Sequence, residues 1–327
     1  MILARHDFIS DFILPTPAGV QTRFFGIAGG KVTLLAFVAD GGDPELLADL
    51  VALAADTDTP LFVVHAEAPA SDGAGYTAFV DADGEVRGRY GVGADSQLFV
   101  LNENLRVVRA FSDDHAAQGR AAIASIEAPD RPGHAPVLII PNALDDDYCD
   151  HLIDIAEANG GVQTGVEVSR DGARHDELDP AMKRRRDHLV DDAELMADIT
   201  RRVGKRVIPE LFKAFSFRAT RFEGFKICCY EGDQRGFFAR HRDNLSPGTA
   251  HRRFALTLNL SDDYDGGHLA FPEYGRARYR PGKGGAVVFS GSLLHEALQV
   301  TRGRRYVLLS FLYREQDGRR RGVDTSA

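Results

Sequence analysis

The sequence predicts two domains of different class, an α/β domain over residues 1–128 and a β-rich double-sheet domain of jelly-roll type over 137–316. Three observations predict this. The first part alternates strand-like and helix-like runs. The part after Gly224 is a series of short β-rich runs separated by Gly, Pro and Asp. Between the two lies the best linker candidate, 129–136, with Pro129, Pro132, Gly133 and Pro136. Residues 317–327 read as a polar tail.

In the first domain, 32–38 is a short apolar run that reads as a buried strand. From Pro44 onward Leu46, Leu47, Leu50 and Leu53 recur at helical spacing, and Pro44 suits a first helical turn. The run 61–64 is a second strand. Runs 96–101 and 105–111 form a hairpin around 102–104. Crossovers mixed with a hairpin suit a small α/β sandwich.

The second domain opens with the strand 137–140, and Asp145 is placed to cap a helix through Cys149, Leu152, Ile153 and Ile155. Residues 160–182 are polar and read as a mobile loop that could act as a lid. A second helical pattern spans 191–215. The β-rich runs are 225–230, 237–242, 254–260, 268–271, 286–289 and 306–313.

Composition limits the function classes. Of 327 residues, 44% are hydrophobic and 27% charged, as in a globular protein able to bury a core in each half. A formal net charge of -9 disfavours nucleic acid and anionic membranes as partners. No apolar run is long enough to predict a membrane helix, and the N-terminal residues lack the apolar stretch of a secretory signal. Three cysteines, Cys149, Cys228 and Cys229, with no C-x-x-C spacing, suggest reduced thiols and a cytoplasmic protein.

The chemistry is carried by His241-Arg242-Asp243 and His295. On a strand, residues two apart share a face, so His241 and Asp243 would aim together into the β-fold while Arg242 points away. His295, just after the apolar run 286–289, can supply a third ligand from a distant strand. Two imidazoles and a carboxylate on one face of an octahedron leave the opposite face open, the arrangement suited to non-haem Fe(II). His-Arg-Asp also occurs in protein-kinase catalytic loops, but the sequence has neither the D-F-G nor the glycine-rich loop that such an assignment requires. If 305–313 is a strand, Arg305 shares a face with Val307, Leu309 and Phe311, where a guanidinium is costly unless an anion meets it. A diacid chelating iron at one end would place its other carboxylate there, in a bidentate, charge-assisted contact.

These residues sit within a longer pattern. It comprises Cys229-Tyr230-Glu231-Gly232, the run 236–244, Leu258-Asn259-Leu260, the run 266–273 with Gly266-Gly267, Leu294-His295-Glu296 and the run 300–306. In order and spacing it resembles the prolyl-hydroxylase branch of the 2-oxoglutarate/Fe(II) dioxygenases. The resemblance covers about 135–315 and implies a double-stranded β-helix. It implies Fe(II) on His241, Asp243 and His295, and 2-oxoglutarate with its distal carboxylate on Arg305. Tyr230 and either Thr257 or Asn259 would make further cosubstrate contacts. It implies hydroxylation of an unactivated C–H of an amino-acid side chain or small molecule, with O2 as oxidant, succinate and CO2 as coproducts, and ascorbate as a stimulant. Asp243 speaks against halogenation, since related halogenases carry a small residue there.

The first domain is similar to the thioredoxin-fold peroxiredoxins at 11–15, 81–84, 90–92 and 98–101. It departs from them decisively, because the first cysteine of the chain is Cys149 and a peroxiredoxin needs a thiolate nucleophile. It is expected to lack thiol redox activity and to serve packing, homodimerisation or substrate docking.

Other groups have blander readings. The basic run 183–188 is a solvated face or a wall for an anionic substrate. Glu223, Arg252 and Arg253 could join the pocket. His251 and His268 are surface or supporting groups rather than ligands, and Cys228 and Cys229 face opposite sides of a strand. Apart from hydroxylation, a catalytically silent metal-binding sensor or interaction module and a zinc hydrolase are the alternatives.

Overall fold

The structure is a computed structural model that describes residues 3–39, 42–69, 75–126, 133–164, 166–170, 173–177 and 179–318. It divides into two compact units, Met1–Gly133 with Pro272–Gly275, and His134–Phe271 with Arg276–Ala327. Residues 129–132 of the stretch 129–136 and the tail from 319 onward lie outside the described residues.

The first unit is built on a five-stranded mixed sheet in the order Thr77–Val80, Leu61–His65, Thr33–Phe37, Gln97–Leu101, Val107–Phe111. The first three strands are parallel to one another, Gln97–Leu101 is antiparallel to them, and Val107–Phe111 is antiparallel to Gln97–Leu101. Both faces of the central strands are covered, which is why their sequences are continuous apolar runs rather than alternating ones. Alternate residues still divide by face. Leu35, Phe37, Phe62 and Phe99 join an aromatic cluster with Phe12, Phe24 and Phe79. Leu34, Ala36, Val63 and Leu98 pack with Leu50, Leu53 and Ala122 from the helices Pro44–Thr57 and His115–Ala124. The helix Pro44–Thr57 begins as its sequence indicates, with the Asp43 carboxylate accepting from Leu46 N–H at 3.0 Å and Pro44 in the first turn.

Two antiparallel sheets make up the body of the second unit among the described residues. The larger, of nine strands, runs Val137–Ile140, Ala286–Ser290, Phe254–Asn259, Val300–Tyr313, Lys226–Glu231, Arg186–Leu189, Val162–Gln163. Arg221–Phe222 and Tyr264–Gly266 also pair with the long strand Val300–Tyr313. The smaller runs Lys183–Arg184, Phe237–His241, His295–Ala297, Leu269–Ala270, Arg278–Tyr279. Ile227, Cys229, Leu256, Leu258, Ala286, Val288, Tyr306 and Leu308 face outward from the larger sheet and form a core with the helices Asp146–Asn159 and Ala193–Phe215. The second helix presents Ile199, Val203, Val207 and Leu211, four apart on one stripe, all fully buried. The intervening residues Cys228, Tyr230, Thr257, Asn259, Val287, Arg305 and Val307 are therefore turned to the other face of the sheet, away from that core.

Three sequence expectations are corrected. Residues 160–182 are not one loop. They contribute Val162–Gln163 and a hairpin of Val166–Arg170 with Ala173–Glu177. Its polar composition concealed alternating valines at 162, 166 and 168 and an Asp171-Gly172 turn signal. Asp145 stands at the N-cap of its helix, but its carboxylate caps nothing, because it pairs with Arg206 at 3.0 Å. The strand that carries His241 ends at that residue, so Asp243 lies beyond it. No helix among the described residues is long and apolar enough to cross a membrane.

Leu308 sits at 0% exposure at the centre of the outward core. Leu308→Ala should destabilise this unit by about 3 kcal/mol through lost burial and a residual cavity. Urea unfolding checks this, and a loss below about 1 kcal/mol would contradict the packing described.

Candidate metal centre

Three elements bring the candidate ligands together. His241 is the last residue of Phe237–His241, and His295 opens the strand His295–Ala297. The two face each other in the ladder, and their ring centroids lie 4.3 Å apart. Asp243 follows in the turn, its N–H bonded to the carbonyl of Gly291 at 2.9 Å. His241 Nε2 is 3.4 Å from Asp243 Oδ1, and His295 Nε2 is 3.5 Å from Asp243 Oδ2. One ligand atom from each residue lies within 4.8 Å of the others, and these three are the only such His/Cys/Asp/Glu group among the described residues.

The hydrogen bonds fix the tautomers. His241 Nδ1–H donates to the Ala239 carbonyl at 2.8 Å and His295 Nδ1–H to the Leu293 carbonyl at 2.9 Å. A carbonyl can only accept, so each Nδ1 carries a proton, which leaves Nε2 as the nitrogen available to a metal. Burial pushes the His295 imidazole down to about 4, which keeps it neutral near pH 7. For Asp243, burial acts upward, but His295 and His241 outweigh it and hold the carboxyl below its usual range. Asp243 is thus an ionised, buried carboxylate, and its Oδ2 has no hydrogen-bond partner. A cation among the three donors would satisfy that oxygen, so the residues present fit a divalent metal.

Aromatic rings pack this cluster. Phe238 stacks on His241 at 3.7 Å and 18°, and Phe289 meets His295 edge-on at 4.6 Å. Phe289 belongs to the larger sheet, which places His295 against the inner face of that sheet.

The same inner face carries the other candidates. Arg305 is 3% exposed, with its guanidinium carbon 5.1 Å from the ring centre of Tyr230, its cross-strand partner. It makes no ion pair among the described residues, and its Nε has no hydrogen-bond partner. Gly267 gives it room, since a Cβ there would lie 2.7 Å from Arg305 Cδ and 2.9 Å from Val300 Cγ2. At φ +62° the backbone also favours glycine, so the Gly266-Gly267 pair does more than turn the chain. Thr257 is buried on this face, across from Leu309 and Val287. Asn259 is placed differently, because its amide nitrogen donates to Tyr264 Oη at 2.8 Å and to the Pro281 carbonyl at 2.6 Å.

Sequence reasoning missed the structure inside the basic run. Arg185 is buried and forks onto Asp187, with Nε–Oδ1 2.6 Å and Nη2–Oδ2 2.8 Å, and its Nη1 donates to Tyr230 Oη at 3.1 Å. Lys183 bonds Thr164 Oγ1 at 2.7 Å, and burial together with the Arg185 cation pushes its ammonium down to about 8. The signal was present: residues 183, 185 and 187 alternate like one face of a strand, whereas Arg184 and Arg186 take the other. His251 is buried and pairs with Glu223 at 2.5 Å, so it is no ligand here. His268 is not among the cluster residues; burial, then the cations Arg280, Arg278 and Arg305, lower its imidazole. Cys228 and Cys229 are buried on opposite faces as free thiols, and burial raises both.

Known proteins match this region. Residues 225–313 match the family model of the 2OG-Fe(II) oxygenase superfamily. A PKHD-type hydroxylase of Pseudomonas putida is 32% identical over 122 residues, covering 33% of this chain and 53% of that protein. Another PKHD-type hydroxylase, of Xanthomonas euvesicatoria, is 28% identical over 178 residues, covering 52% of this chain and 75% of that protein. The chain spans about half the length of the first of these relatives. A solved prolyl hydroxylase of Trichoplax adhaerens, in complex with a hypoxia inducible factor peptide, is similar at 15% identity and TM-score 0.46, over 58% of this chain and 88% of that chain. The stretch 225–313 is thus similar to the 2OG-Fe(II) oxygenases, a superfamily that uses Fe(II) and 2-oxoglutarate.

Proposed function

We propose that the chain is an Fe(II)- and 2-oxoglutarate-dependent hydroxylase acting on an unactivated C–H bond of an amino-acid side chain, peptidyl and of the prolyl class among others, or of a small molecule. The observation that carries this reading is the buried Asp243 carboxylate with an unpartnered oxygen, facing two imidazoles whose Nε2 atoms point at it. Ferrous iron held by His241, Asp243 and His295 would supply the coupling of O2 reduction to oxidative decarboxylation of 2-oxoglutarate, giving succinate, CO2 and a hydroxylated product.

The residues around it would bind and orient. Arg305 would take the distal carboxylate, because a buried guanidinium with no anion otherwise stands uncompensated. Tyr230 would wall the cosubstrate and is held in place by the Arg185 bond to its hydroxyl. Thr257 has the better claim to a further contact, since Asn259 already donates to Tyr264 and Pro281. Phe238, Phe271 and Phe289 surround the histidines with apolar surface that keeps water away.

We further propose that the first unit is a thioredoxin-like domain without thiol redox chemistry. Its mixed sheet, with helices packed on one face, supports this, and no cysteine precedes Cys149. A role in dimerisation or substrate docking belongs to the same proposal, as does a reducing, cytoplasmic setting for three free thiols.

The test is turnover of 2-oxoglutarate to succinate with Fe(II) and ascorbate in the absence of a primary substrate. Slow uncoupled turnover should appear in the wild type and vanish in His241→Ala. A silent module would show none, and a zinc hydrolase would be indifferent to O2 and 2-oxoglutarate. Arg305→Ala should raise the 2-oxoglutarate concentration needed by roughly tenfold to a hundredfold, the worth of a charge-assisted contact, with iron content unchanged. Unchanged kinetics would remove the carboxylate assignment. Gly267→Ala, which crowds Arg305 Cδ, should move the same requirement in the same direction, read from succinate formation against 2-oxoglutarate concentration.

A further inference from the structure

We infer that Glu223, His251 and Arg252 form a brace that fixes the backbone of Asp243, making Arg252 a positioning residue for the metal centre; the inference rests on the metal reading above. Asp243 needs such a support. It lies past the end of its strand, and on one side its peptide is held by the bond from its N–H to the Gly291 carbonyl at 2.9 Å. On the other side its carbonyl accepts from Arg252 Nη1 at 3.4 Å. The chain between them curls back through bonds from Thr249 N–H to the Ser246 carbonyl and from Arg252 N–H to the Thr249 carbonyl. This brings Arg252 beside Asp243 again.

The guanidinium itself is held on three sides. Its Nε donates to Glu223 Oε2 at 2.9 Å and its Nη2 to Glu223 Oε1 at 2.7 Å, a fork that fixes the plane and leaves Nη1 for Asp243. Its face lies 4.0 Å from the ring centre of Phe311. Glu223 is anchored in turn, with its N–H bonded to the Phe311 carbonyl at 2.9 Å and its Oε2 in contact with His251 Nε2 at 2.5 Å. His251 packs edge-on to Tyr313 at 4.9 Å. The chain of contacts therefore runs from the long strand Val300–Tyr313, through one carboxylate and one guanidinium, to the carbonyl of a metal ligand. Such outer contacts aim a ligand and raise metal affinity without touching the metal. A lysine could keep the charge but could not span Glu223 and Asp243 with one planar group.

The adjacent residue supplies the control. Arg253 pairs with Asp317 at 2.8 Å and has no bond to Asp243, so Arg253→Ala removes a neighbouring cation and an ion pair without touching the brace. The test is a Co(II) titration of the full chain, followed by visible absorption, with thermal midpoints measured in parallel. Arg252→Ala and Glu223→Gln should each raise the Co(II) dissociation constant about tenfold or more. The double variant should be no worse than the weaker-binding single, because both act through one contact. Arg253→Ala should stay within about twofold of wild type, whatever its midpoint. Should Arg252→Ala fail to fold, Arg252→Lys carries the test, with a near-normal midpoint and weakened cobalt binding expected. Unchanged cobalt affinity in a folded Arg252 variant, or an equal loss in Arg253→Ala, would overturn the brace. A wild type that binds no Co(II) would remove the metal centre and the brace with it.

Discussion

A carboxylate taken out of water must find positive charge or hydrogen-bond donors, and the second unit is organised around one that has too few. Asp243 is buried with an oxygen that has no hydrogen-bond partner among the described residues. Two histidines, each locked in one tautomer by a backbone carbonyl, point their remaining nitrogens at it. An unsatisfied buried carboxylate oxygen carries an electrostatic cost that a divalent cation relieves. A second, opposite imbalance is Arg305, a cation buried beside Tyr230 with no ion pair among the described residues. A cluster lacking a cation and a guanidinium lacking an anion, on facing layers of one β-fold, describe a site made for a metal and an acid together.

Structural charge in the same region is balanced differently. Arg185 and Asp187 neutralise each other at close range, and Glu223 is shared by Arg252 and His251. These pairs are self-contained, so they read as scaffolding. This contrast, between ion pairs that close on themselves and charges left open, is the most direct physical separation of support from site in the molecule.

Much of this was legible in the sequence because strand alternation is a strong constraint. Val307 and Leu309 flanking Arg305 foretold a buried guanidinium, and the apolar run before His295 foretold a strand leading to it. Other parts were hidden for identifiable reasons. Asp243 was expected on the strand of His241, but the strand ends at His241 itself, and an H-x-D triplet looks the same either way. The Asn259 amide is engaged by Tyr264 and the Pro281 carbonyl, partners that composition cannot reveal. The run 183–188 looked uniformly basic, whereas it contains a buried pair whose members lie on one face of the chain. Polar content also disguised the hairpin 166–177 as a loop.

The long strand Val300–Tyr313 pairs with four others, at Tyr264–Gly266, Lys226–Glu231, Phe254–Asn259 and Arg221–Phe222. Its residues sort by parity, with Tyr306 and Leu308 in the apolar core and Arg305 and Val307 on the opposite face. An offset of a single residue would thrust the guanidinium toward hydrocarbon and carry Arg304 or Tyr306 into its place. With four partners each voting for the same alignment, the misaligned sheet is penalised several times over. The chemistry-bearing face thus comes into being only when folding has been completed without error.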